Sequence, residues 1–291
     1  MQADNLLRSE AGAGAPRAIP DNKRLWICAA AVSLAWLGLI WFRSTSAYGS
    51  LNSFISSVQL RLTRSAVTEQ PVGLLERLGK PYAPTLVSLY RQEPQLGVDG
   101  AKYTPKLGDG VVVEEGLFLH DLARKINARN TLEVGFASGY SAVFLLAASQ
   151  DRSGTTHTAI DPFETSDYHG VGIQLVKSVG MESRFRLMEE FSSLAIPQLA
   201  REKKKFDLIF IDGDHKFDSA FLDFTLADMV VENGGYILLH DRWMSSIQTM
   251  VRYIEKNRAD YRAEFSDAVP NIAVFRKVSK DTRNWQHFVP F

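Results

Sequence analysis

Cysteine is almost absent from this chain: Cys28 is the only one in 291 residues. Disulfides within the chain and cysteine-based zinc sites are therefore excluded. Nor is there an excess of either charge, because 33 Lys and Arg face 33 Asp and Glu. Five of the basic and three of the acidic residues lie in 1–43, which leaves 28 and 30 in the rest of the chain. A body that is slightly acidic argues against nucleic acid as a partner. No internal repeat is found, so solenoids and arrays drop out. What remains is a chain with 45% apolar residues, enough to bury a sizeable core.

One long apolar run is present. Leu25 to Phe42 reads LWICAAAVSLAWLGLIWF, 18 residues without a charge. As a helix it would cover about 27 Å, close to a hydrocarbon core of about 30 Å. Trp26, Trp36, Trp41 and Phe42 put aromatics at both ends, where membrane interfaces favour them. A membrane anchor fits best. A cleaved signal peptide and a buried core helix are the alternatives, the first weakened by the long leader and long apolar run. Arg8, Arg17, Lys23 and Arg24 precede the run, and after Arg43 no base follows until Arg61. That bias favours a cytoplasmic N-terminus with the body on the far side.

The remainder divides by pattern. Residues 1–24 lack periodicity and read as a disordered tail. Residues 43–105 read as a linker and helical lead-in broken by Pro71, Pro81, Pro84 and Pro94. Residues 106–278 read as one domain, and 279–291 as a tail. Val111–Ala128 has helical periodicity, and strands and helices then alternate. Strands are expected at Thr131–Val134, Thr156–Ile160, Phe185–Met188, Phe206–Ile211, Tyr236–Leu239, Tyr261–Phe265 and Ile272–Phe275. Helices are expected at Ser141–Ser149, around Gln174–Val179, at Ser193–Lys204, Phe217–Val231 and Ser245–Asn257. Such alternation predicts an α/β fold: a doubly wound, mainly parallel, seven-stranded Rossmann-like sheet with helices on both faces. Ligands of such sheets bind at the carboxyl ends of the strands.

Acids collect at those ends. The first strand runs into Glu133-Val-Gly135-Phe-Ala-Ser-Gly139-Tyr-Ser141. Two glycines bracket a turn into a helix, with spacing G-x-x-x-G rather than the G-x-G-x-x-G of dinucleotide folds. The second strand ends at Asp161, 26 residues after Gly135, where a carboxylate can accept the hydroxyls of a ribose. The fourth ends Ile211-Asp212-Gly213-Asp214-His215, and the fifth ends His240-Asp241. One acid at a strand end is unremarkable, but four in a row are hard to explain as solvated surface.

E-V-G-x-x-x-G-Y-S, I-D-P, F-D-L-I-F-I-D-G-D-H and G-G-Y-I-L-L-H-D together resemble the class I S-adenosylmethionine-dependent methyltransferases. The resemblance covers about Val111 to Trp243. Within the class it looks most like the group with the D-G-D-H ending and like the catechol and caffeoyl-coenzyme A O-methyltransferases. It implies that Glu133, Gly135 and Gly139, with Phe136 and Ala137 between them, line the methionine part of S-adenosylmethionine. Tyr140 and Ser141 would sit at the helix start, Asp161 would hold the ribose, and Glu189–Ser192, Glu190 among them, would edge the adenine. Asp212 would stand by the sulfonium. In metal-dependent relatives an acid after the fourth strand and an acid-plus-amide or acid-plus-acid pair after the fifth hold Mg²⁺. Asp212 and Asp241 match two such ligands, but Arg242 stands at the third and repels a cation, which leaves Asp214 as the substitute.

The transfer needs a nucleophilic oxygen in line with the methyl carbon and a group to take its proton. His215 is the first choice as general base, with His240 as the alternative. The alternative for either is to hydrogen-bond and orient a neighbouring side chain of the site. The implied activity is O-methylation of a hydroxylated small molecule, with its pocket drawn from Pro81–Pro105 and Thr165–Gly172. Ala137 and Arg242 also allow a catalytically silent binding module of the same fold, and the missing dinucleotide fingerprint disfavours an oxidoreductase. A homo-oligomer is compatible with all of this. The cofactor is made in the cytosol, which favours a cytoplasm-facing domain against the charge bias.

Overall fold

A computed structural model describes residues 71–291 of the protein. The expected membrane span 25–42 lies outside the described residues. Among those described, no helix is long and apolar enough to cross a membrane. The lead-in holds a 3₁₀ turn at Val72–Leu78, helix α1 at Tyr82–Tyr90, and a small antiparallel ribbon of β1 (Gln95–Leu96) and β2 (Lys102–Tyr103). Leu75, Leu78, Leu86 and Leu89 are buried in the same core cluster as the helices that follow. The boundary expected at 106 is therefore not a packing boundary.

The main sheet has seven strands: β3 (Asn130–Val134), β4 (Thr156–Ile160), β5 (Phe185–Met188), β6 (Phe206–Ile211), β7 (Val231–Leu239), β8 (Tyr261–Ala263) and β9 (Ala273–Lys277). Their order is β5-β4-β3-β6-β7-β9-β8. The first five run parallel, and β9 is antiparallel to both its neighbours. Chain order reverses between β3 and β6, which makes their carboxyl ends the crevice of the fold.

The apolar runs explain the layers. Along β6, Leu208 and Phe210 enter one cluster while Ile209 and Ile211 enter the other. The first cluster is covered by α1, α2 (Val113–Lys125), α3 (Tyr140–Ala148) and α4 (Val171–Ser178). The second is covered by α5 (Ser192–Arg201), α6 (Phe217–Ala227) and α7 (Ser245–Asn257). A strand buried on both faces has no reason to alternate with polar residues. One expectation fails at an edge. The helix predicted to reach Val231 ends at Ala227, and β7 starts at Val231 and runs through Asn233-Gly234-Gly235. Gly234 has φ +88°, and the pairing slips between Phe206 and Leu208. An irregularity of this kind lets Gly234 and Gly235 lie inside a strand.

Candidate active site

The carboxyl ends of β3, β4, β6 and β7 open into a cavity of about 1430 Å³. Its floor is the close approach of two loops. Gly135, at φ +90°, follows β3, and a Cβ there would lie 2.2 Å from the backbone oxygen of Asp212 after β6. Only glycine can stand at that crossing. Gly139, at φ +80°, caps α3, and a Cβ on it would come within 3.0 Å of Gly172 Cα.

Asp161 ties this floor together. Its Oδ2 accepts hydrogen bonds from the backbone N–H groups of Phe136 (2.9 Å) and Ala137 (2.8 Å), and Oδ1 accepts from Phe163 N–H (2.9 Å). The carboxylate is 5% exposed and lines the cavity. It is thus a loop clamp as well as a cavity wall. Ala137, held by that clamp, adopts φ +46°, a left-handed conformation that L-residues other than Asn and Asp rarely take.

Of the residues assigned to the cofactor, Gly135, Ala137, Asp161, Asp212 and, from the adenine segment, Phe191 and Ser192 line the cavity. The others do not. Glu133 is fully buried beneath it, accepts from Ser141 Oγ at 2.7 Å, and lies 3.2 Å from His157 Nε2. Phe136 packs under the glycines against Phe185, and Tyr140 lies under Gly110. These residues shape the loop from below because the helix that follows Gly139 is buried all round. Glu190 is exposed and takes the N–H of its own neighbour Phe191 at 2.9 Å. Phe191 and Ser192 of the same expected segment line the cavity, with Phe163 set edge-on to Phe191. The acceptor segments also move. No residue of 81–105 reaches the wall, because α1 packs into the core and the ribbon stacks Tyr103 on His169. Leu107 to Gly110 takes that place, and Thr165–Gly172 contributes only Tyr168.

The other side of the cavity is built of side chains. His215 Nε2 lies 3.3 Å from Asp241 Oδ2 and 3.7 Å from Asp212 Oδ1. Asp241 adopts φ +52°, and its Oδ1 accepts from Trp243 Nε1 (2.9 Å) and Asn271 Nδ2 (3.3 Å). Burial would raise this carboxyl, but His240 and His215 bring it below its ordinary range. Arg242 is turned away, its guanidinium 4.1 Å above the ring of Phe265.

His240 is enclosed by polar side chains of the site. Its Nδ1 lies 2.7 Å from Asp212 Oδ1 and its Nε2 lies 3.1 Å from Glu115 Oε2. Asn271 Nδ2 also lies 3.2 Å from Nε2, so both ring nitrogens are engaged within the protein. Glu115 and Asn271 were not foreseen as site residues. Glu115 stands three residues after Val112, whose N–H it caps at 3.0 Å, a pattern that reads as a helix start. No local pattern marks Asn271, which arrives on the loop before β9.

The comparisons with known proteins point the same way. A methyltransferase domain family model matches residues 132–242. Tapetum-specific methyltransferase 1 of Arabidopsis thaliana is 34% identical over 129 residues, 44% of this chain and 53% of that protein. Caffeoyl-CoA O-methyltransferase 5 of Nicotiana tabacum is 27% identical over 133 residues, 44% of this chain and 54% of that protein. The chain thus spans about half the length of these two relatives. An O-methyltransferase from Bacillus cereus, solved with SAH, superposes with a TM-score of 0.55 at 19% identity, covering 71% of this chain and 96% of that one. The O-methyltransferase TomG from Streptomyces achromogenes, solved with SAM, gives 0.52 at 20% identity, covering 77% and 96%. At such identities the superpositions speak for the fold. Over residues 132–242 this chain is similar to methyltransferase domains.

Proposed function

We propose that the protein is an S-adenosylmethionine-dependent O-methyltransferase acting on a hydroxylated small molecule, with His215 as general base. The observation that carries this reading is His215 beside Asp212 and Asp241 on a cavity whose opposite wall is the Gly135 and Asp161 loop. The Cβ-free crossing at Gly135 and the volume of the cavity fit a nucleoside-sized cofactor. Bound there, S-adenosylmethionine supplies an electrophilic methyl carbon on a sulfonium. Asp212, at the crossing, favours positive charge beside it. The Asp241 carboxylate favours a proton on His215 Nε2, which leaves Nδ1 to take the proton of the attacking hydroxyl. Transfer would break the methyl carbon–sulfur bond and leave neutral S-adenosylhomocysteine, while the His215 ring would hold the proton of the hydroxyl.

Calorimetric titration with S-adenosylmethionine and a panel of hydroxylated acceptors test this. His215→Ala should leave cofactor affinity unchanged and lower kcat about 10²- to 10⁴-fold, the usual worth of general-base catalysis. Unaltered turnover in that variant would remove His215 from the role, and turnover of no acceptor by a protein that binds the cofactor would favour a silent binding module.

We also propose that residues 25–42 tether the enzyme to a membrane with the domain facing the cytoplasm, where the cofactor is made. The 18-residue charge-free run supports the tether. Protease protection of sealed membranes checks the side: a domain digested only after permeabilisation of cytoplasm-out vesicles would reverse it.

A further inference from the structure

The segment 279–291, which the sequence marks only as a tail, is fastened to α7. Asn257, the last residue of α7, is 2% exposed, and its amide grips the backbone of Val289 with both groups. Nδ2 donates to Val289 O at 2.9 Å, and Oδ1 accepts from Val289 N–H at 2.7 Å. Arg283 donates to both oxygens of Asp281, through Nε at 2.9 Å and Nη2 at 2.7 Å, and through Nη1 to Tyr253 Oη at 3.1 Å. Rings continue the fastening. Phe221 of α6 stands edge-on to Tyr253 of α7, Tyr253 edge-on to Phe291, and Phe291 edge-on to Phe288.

What this strap holds outward is apolar. Trp285 is 91% exposed and Phe288 65%, and Val289 and Phe291 are exposed beside them. Single exposed apolar residues are ordinary, but a cluster held out by a buried amide marks a contact surface. A bilayer or a protein could cover it, and the chain favours the bilayer. It carries Leu25–Phe42, the charge-free run proposed above as a tether. Residues 43–70 join that run to Pro71 and can span at most about 95 Å. A domain of roughly 220 residues is about 45 Å across. The strap is therefore within reach of the bilayer from whichever side the chain enters the domain. Tethering makes the contact intramolecular, so a few rings suffice. Trp and Phe suit the lipid interface, and a ring projecting from a strap enters headgroups without a matching pocket, which a protein partner must supply. The strap has two bases, Lys280 and Arg283, and one acid, Asp281, which Arg283 neutralises. Charge is not what draws it to a surface.

We propose that 279–291 is a second membrane contact, in which Trp285, Phe288 and Phe291 enter the headgroup region of the bilayer that holds residues 25–42. The contact fixes which face of the domain looks toward the lipid. It rests on the tether proposed above. Because burial of rings drives it, uncharged phosphatidylcholine is enough and salt does not weaken it.

The test uses the full chain with Cys28→Ser, so that Gln286→Cys, next to Trp285, carries the sole thiol for a fluorescent NBD label. The protein is reconstituted in phosphatidylcholine nanodiscs at one chain per disc. Lipids bearing a nitroxide near the headgroup should quench the label, at high salt as at low salt. Adding Trp285→Ala and Phe288→Ala should abolish the quenching. Both side chains are exposed, so the midpoint of a denaturant melt should stay where it was. An embedded chain whose label is not quenched, or quenching that the double substitution leaves intact, would overturn the proposal. Protection of the label that needs two chains per disc would mean that a second copy covers the rings, and would overturn it as well. Alkaline carbonate extraction of cell membranes tests the tether separately. Release of the chain sinks the tether and this contact with it, whereas retention with an unquenched label sinks only the contact.

Discussion

The two walls of the cavity are built by different means. At the ends of β3 and β4 the wall is backbone: one carboxylate, Asp161, gathers three N–H groups from residues 136, 137 and 163, and glycine allows the loop to cross Asp212. At the ends of β6 and β7 it is side chain: Asp212, His240, Glu115, Asn271, Asp241 and His215 form one connected polar group. The hydrogen bonds of the backbone wall join residues at most 25 positions apart, whereas the side-chain wall joins residues 156 apart. A cofactor common to a whole class can be met by a contiguous motif. The chemistry specific to one chain is assembled from distant segments.

Substitutions can break each side of that contrast. The largest effect on the backbone wall is expected from Gly135→Ala. A Cβ at 2.2 Å from the Asp212 carbonyl, on a φ of +90°, forces the loops apart. The cost should be about 3 kcal/mol or more, seen as a lowered midpoint in denaturant melts and as lost cofactor binding. If Gly135→Ala binds cofactor normally, the crossing does not define the wall.

Asp161→Asn should follow. The amide keeps an acceptor but turns an N–H₂ group toward backbone donors. A loss of about 1–3 kcal/mol is expected in the same melts, with weaker binding measured by calorimetry.

Glu164 sharpens the picture of the same wall. It is fully buried behind Asp161, and burial pushes its carboxyl up to about 9, helped by the nearby charge of Asp161. A carboxyl raised in the folded state stabilises fully below its unfolded value near 4.5, and that contribution drains away as pH rises toward 9. Glu164→Gln has no proton to lose. It should therefore gain on the wild type by more than about 1 kcal/mol at pH 8, with little difference at pH 5. Equal melting curves for the two proteins across that range would place the carboxyl in water.

The smallest effect belongs to Ala137→Gly. At φ +46° glycine relieves a left-handed strain, offset by greater freedom in the unfolded chain. A net gain of about 0.5 kcal/mol is expected. Destabilisation would mean that the methyl group packs.

How much was legible follows from these particulars. Strand and helix periods place β3 through β6 within a residue or two, because buried parallel strands are short apolar runs between amphipathic helices. The β7 start was missed, since a strand that carries Asn233-Gly234-Gly235 looks like a turn until its partner is seen. Asp161, Asp212 and Asp241 were readable as strand-end acids, and each lines the cavity. Glu133 carried the same signature and does not, because its side chain leaves the opposite way, toward Ser141 and His157.

The linear sequence by itself determined the alternation of elements, the glycine crossing and the placing of acids at four strand ends, since these depend on local propensity and period. It also determined that one residue, His215, would stand three positions after Asp212. Tertiary structure alone decided what the two histidines are. His240 meets Glu115 and Asn271 because α2 and the loop before β9 bring them to it from far along the chain. A proton's location depends on partners on both sides of a ring, and those partners are set by packing, which no local pattern records.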